Sequence, residues 1–148
     1  MNGRDLFRTR RLEVFVASYT LGFGFWLMLP FQSMNTAAFA TLTEAVSEYR
    51  WGALFFFNGL SHALALIING HRWWSPFVRW FAALTSALVY AAFSIGFGVE
   101  HWHSTAVFTY AGLSCAGLIC LWFAVADATQ AMRIRHLMKG PANVARNT

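Results

Sequence analysis

The sequence predicts an all-α, polytopic membrane protein: four transmembrane helices, with a short interfacial amphipathic helix between the first and the second. Three observations carry this. Four long apolar stretches fill most of the 148 residues. Charged residues are only 11% of the chain against 57% hydrophobic, where a soluble domain carries about 25% charged. Ten of the eleven Lys and Arg residues fall at one set of ends of those stretches.

The spans are expected at about 12–30, 51–69, 76–99 and 106–128. At 1.5 Å per residue, roughly 20 residues cross about 30 Å of hydrocarbon, and backbone groups in lipid satisfy themselves only in helices or closed barrels. The short connections at 70–75 and 100–105 make neighbouring spans antiparallel. Residues 1–11 form a basic arm and 129–148 a basic tail, with the 12–128 membrane domain between them. Arg4, Arg8, Arg10 and Arg11 could pass for the start of a signal peptide. The apolar run from Val14 to Leu29 is too long for that, and the small-residue site Ala38-Phe39-Ala40 lies too far beyond it. The first stretch therefore reads as a retained span.

The arm, Arg72, Arg79 and the tail residues Arg133, Arg135, Lys139 and Arg146 share one side, with Arg50 alone on the other. The positive-inside rule places both termini in the cytoplasm. Arg10, Arg11, Arg133, Arg135 and Lys139 are expected to meet anionic headgroups, so the net charge of +5 implies a bilayer partner and no nucleic acid.

The connection from Phe31 to Arg50 repeats Phe39, Leu42, Val46 and Tyr49 at helical spacing, with Thr41 and Glu44 in capping-box register. This predicts the interfacial helix over about 35–49. The tail is expected to extend the fourth helix to about Lys139 and to end at Gly140-Pro141.

His62 is the sharpest candidate for chemistry. It lies deep in the second span, with Asn58 one turn away on the same face, where polar groups are costly and need partners. The simplest expectation is a neutral imidazole bonded across a helix interface to Tyr19, Ser86 or Tyr90. No second His lies at its depth, so haem ligation is not expected, and no cofactor is assigned. His101 and His103, flanking Trp102, are secondary metal candidates with Glu44, Glu48 and Glu100; a solvated outer loop with an interface-seeking Trp102 explains them better, and no metal is assigned. Glu13, at the edge of the first span, is expected to pair locally with Arg10 and Arg11, and Asp127 flanks the fourth span. A proton-coupled antiporter would need a deeper carboxylate. Cys115 and Cys120 are expected to be buried, unpaired thiols. Trp26, Trp51, Trp73, Trp74, Trp80 and Trp102 sit near span ends as an aromatic belt. Gly22, and Gly112 with Ala116, offer small-residue surfaces for helix packing. No catalytic triad, zinc-protease motif or phosphate-binding loop occurs, so an enzyme is not expected.

Arg10-Arg11, the run Gly24-Phe25-Trp26-Leu27 leading to Pro30-Phe31, and Trp51-Gly52-Ala53-Leu54 with Gly59-Leu60 resemble small four-span proteins encoded by tailed bacteriophages and prophages. The resemblance covers roughly residues 10–72. It implies a bacterial inner-membrane protein with a holin-like or membrane-modifying role and brings no catalytic residues. Three readings follow: a homo-oligomer acting by self-association, an accessory subunit of a larger respiratory or photosynthetic membrane complex, and a small transporter or ion-pathway protein.

Overall fold

The apolar stretches fold as helices, and a computed structural model describes residues 10–68 and 74–144, with side chains in the last helix given to Arg133, Ala131 apart. Helix α1 is Arg11–Leu27. A 3-10 turn, Ala37–Phe39, leads into α2, Ala40–Ala45; α3 is Glu48–Ile68, α4 Ser75–His101 and α5 Thr105–Val144. Helices α3, α4 and the Thr105–Gln130 part of α5 are long and apolar enough to cross a membrane. Helix α1, with 17 residues, is about 25 Å long and lies alongside them.

The four long helices pack as two close pairs, α1 with α3 and α4 with α5, joined mainly through α3 and α4. Glycine makes the first pair close. A Cβ on Gly24 would overlap the backbone of Phe55 and Phe56, and one on Gly59 would overlap the backbone of Leu21. The two helices therefore touch backbone to backbone, which no larger residue permits.

The core is graded along the bundle. Towards one end, Phe23, Phe55, Phe93, Phe97 and Tyr110 interlock with ring centroids 4.8–6.3 Å apart, together with Trp51, Phe39 and Tyr90. The other end has a smaller cluster of Val16, Ala83 and Cys120, packed by Leu12, Ala116 and Leu121. Small residues there leave room for polar side chains.

Several expected boundaries shift. The second long helix begins at Glu48, not Trp51, because the Glu48 carboxylate accepts the Ser33 and Met34 N–H groups and the Ser33 hydroxyl, anchoring the preceding loop. Helix α4 runs on through Glu100 and His101, where a loop was expected from residue 100. Helix α5 continues past Gly140-Pro141 to Val144 instead of ending there.

The connection between the first two long helices also differs from the expected helix over 35–49. Only the 3-10 turn and the six-residue α2 form, and extended backbone at Val46 stops them. Leu42 is buried against Gly96, Phe39 packs edge-on against Phe97, and the Trp51 indole donates to the Leu42 carbonyl. These contacts fold the segment onto the end of the bundle. The Thr41–Glu44 capping box does not form; α2 starts at Ala40 without a side-chain cap, and the Thr41 hydroxyl donates to Glu100.

Candidate functional site

Five ionisable side chains converge at the bundle end opposite the aromatic cluster. Glu13 stands in the first turn of α1, Arg79 in the second turn of α4, His62 six residues before the end of α3, and Asp127 on α5. Arg10 precedes α1. Arg79 is fully buried, and Glu13 and His62 are each 1% exposed.

Arg79 organises the site. Its Nε donates to Glu13 Oε2 at 2.8 Å and its Nη2 to Glu13 Oε1 at 2.6 Å, a two-pronged pairing of planar guanidinium with planar carboxylate. Its Nη1 donates to Asp127 Oδ2 at 2.8 Å, and Arg10 Nη2 reaches the same oxygen at 2.7 Å. Two cations thus meet two carboxylates, and the cluster is neutral when His62 is neutral. A cation near the N-terminal end of α4 opposes the helix dipole, and the two carboxylates offset this. Burial, reinforced by the like charge of Arg79, lowers the proton affinity of Arg10, while Asp127 and then Glu13 act in the opposite direction.

His62 is the exception. Its Nε2 lies 3.8 Å from Glu13 Oε2, beyond hydrogen-bond reach, and among the described residues neither ring nitrogen has a hydrogen-bond partner. The groups expected to hold it are engaged elsewhere. Tyr90 shares a 2.9 Å hydrogen bond with Thr20, and Ser86 accepts from Asn58, whose amide also donates to the Ala82 carbonyl. Tyr19 stacks on Phe23. The expected partners of His62 are therefore replaced by the edge of the Glu13–Arg79 pair.

No family model, curated protein or solved structure matches this chain. The site must be read from its own geometry.

Glu13 does not pair with the neighbouring Arg10 and Arg11, as expected; it is buried and its partner is Arg79, because α4 brings a guanidinium to the same depth. Arg10 likewise turns inward onto Asp127 and does not point to headgroups, whereas Arg11 and Arg133 are exposed. The side chains of Arg135 and Lys139, residues 1–9 and the connection at 69–73 lie outside the described residues. Cys115 is exposed and only Cys120 is buried; both are free thiols. Gly22 and Gly112 face open space, whereas Ala116 packs inward. His101 and His103 are exposed, with the His103 ring against Trp102. Among the described residues, no group of three His, Cys, Asp or Glu side chains converges as a metal site would require.

Sequence reasoning singled out His62, Asn58 and Tyr90 but counted Arg79 only as a topological charge. The available signal was an Arg and a Glu at matching depths near the starts of two helices that run in the same direction, where buried charges need partners.

The Thr20–Tyr90 bond ties α1 to α4 in the bundle interior. Tyr90→Phe is expected to cost about 1 kcal/mol, Thr20→Val a similar amount, and the double variant little more than either. Equilibrium unfolding of the four proteins in detergent measures this; strict additivity would show that the bond contributes nothing.

Proposed function

We propose that this is a four-span integral membrane protein of the bacterial inner membrane, without enzymatic activity, that acts by associating with further copies of itself. In this reading α1 crosses the membrane as well, making four spans, and both termini lie in the cytoplasm, in line with the one-sided Lys and Arg distribution. The ionic cluster then lies near the cytoplasmic surface and holds α1, α4 and α5 in register. The resemblance to phage-encoded proteins adds a membrane-modifying or holin-like role.

One observation carries the reading. Helix α5 leaves a continuous stripe uncovered: Phe108, Gly112, Cys115, Ile119 and Trp122 recur every three or four residues and are all exposed, Phe108 by 78%. Lipid would cover the large apolar side chains equally well. It does not account for small residues set between them, which suit close approach by another helix. A proton or ion pathway is less well supported, because the polar route from Asp127 to His62 leads into the interlocked rings of Phe55, Phe93 and Tyr90.

The test is the mass of the tagged protein purified in mild detergent. A particle containing several copies and no other protein is the expected result. A monomer would overturn the reading, and stoichiometric foreign subunits would make the chain an accessory subunit. Expression alone is further expected to collapse the host membrane potential; persistent polarisation at high expression would remove the holin-like role.

A further inference from the structure

The α3–α4 pairing leaves a lateral groove on the outside of the bundle, with a volume of about 370 Å³. Phe57 and Phe81 form its apolar walls, and Asn58, Ser61 and Thr85 line it between them. Its polar groups are incompletely used. The Asn58 amide nitrogen donates to Ala82 and Ser86, but its Oδ1 accepts no hydrogen bond among the described residues, and the Thr85 hydroxyl has no partner there either. A free acceptor in a groove that opens on lipid calls for a donor that lipid chains do not supply.

The same chain carries such a donor. Trp122 is 73% exposed on α5, and its indole N–H finds no acceptor among the described residues. It also lies at the right depth. The Ser114 hydroxyl donates to the Ala87 carbonyl, which fixes the register of antiparallel α4 and α5. Six residues from Ala87 towards the start of α4 is Phe81, and six residues on from Ser114 is Cys120, so Phe81 and the first half of the turn before Trp122 share a level. Long side chains on a helix lean towards its N-terminus, which carries the Trp122 ring back over the interval from Phe81 to Thr85.

We propose that Trp122 of one copy inserts into the α3–α4 groove of the next, its indole N–H donating to Asn58 Oδ1. Knob and hole are on different faces, so the contact is head-to-tail. Copies in one membrane share depth and orientation, so the contact repeats by rotation about the membrane normal and gives a ring where that rotation closes. This proposal rests on the self-association reading and names the surfaces that perform it.

The experiment combines particle mass in mild detergent with cross-linking in native membranes. Trp122→Ala is expected to weaken association on the order of tenfold or more while leaving helix content and the monomer's Tm unchanged, because the side chain is exposed. Ser61→Phe, which fills the groove and leaves Trp122 intact, is expected to do the same. In chains carrying Cys115→Ser, Trp122→Cys in one tagged copy should cross-link to Phe57→Cys in another. An oligomer indifferent to Trp122→Ala, or one linked through Cys115 to Cys115, would overturn the groove contact and leave self-association standing. A monomeric unmodified protein would overturn both.

Discussion

Arg79→Met is expected to destabilise the bundle by roughly 3–5 kcal/mol, the usual consequence of removing one partner from a buried ion pair. The variant loses both bonds to Glu13 and the bond to Asp127. Glu13, 1% exposed, is then left without a bonded cation, and two carboxylates share Arg10 alone. Two companion variants decide whether the cost belongs to the pairing or to lost volume. Arg79→Met combined with Glu13→Gln removes the stranded charge and is expected to recover much of the loss. Asp127→Asn is expected to cost about 1 kcal/mol or less, because Asp127 is 34% exposed and water takes over its bonds. Reversible denaturation in mixed micelles measures all of these. If the double variant is as unstable as Arg79→Met alone, the buried pair is not what holds α1 to α4.

Gly59→Val is expected to separate α1 from α3. The added Cβ would fall on the backbone of Leu21, which no rotamer change can relieve. Overpacking typically costs about 1–3 kcal/mol where side chains can shift, and a backbone clash belongs at or above the top of that range. Gly24→Val should behave alike, since its Cβ meets the Phe55–Phe56 backbone. Gly22 supplies the control. Nothing lies within 4 Å of a Cβ there, so Gly22→Ala should be neutral or stabilising by up to about 1 kcal/mol through helix propensity. Thermal unfolding in one detergent, with an engineered cysteine pair across α1 and α3 reporting their proximity, gives both readings. A tolerated Gly59→Val would mean that the two helices do not cross as closely as described.

The long helices were legible because their signal is composition sustained over about 20 residues, and lipid allows few other structures. The segment between the first two was misread because its apolar residues repeat at helical spacing for a different reason. Leu42, Phe39 and Met34 are spaced to fill gaps at the end of the bundle, not to form one face of a continuous helix. Burial of Asn58, His62 and Tyr90 followed from their depth in the spans. Their partners did not, since a partner depends on helix rotation, which periodicity leaves undetermined when a helix is apolar all round. Arg79 shows this best. Its position one turn inside a span suits headgroup contact as well as ion pairing, and only the rotation of α4 towards Glu13 separates the two.

The arrangement of the ionic cluster also bears on how the chain is made. Glu13 and His62 belong to the first helical pair; Arg79 and Asp127 belong to the second. During synthesis the first pair forms with Glu13 beside an imidazole, and the second is made later carrying Arg79 with only Asp127 to bond. Arg10 balances Glu13 and Asp127 balances Arg79, so each half is neutral overall, but the two-pronged pairing of Arg79 with Glu13 exists only once the halves dock. Unassembled halves therefore differ from the finished protein by charged side chains that have not yet met their bonded partner, the kind of feature by which quality control can tell an orphan from a native fold.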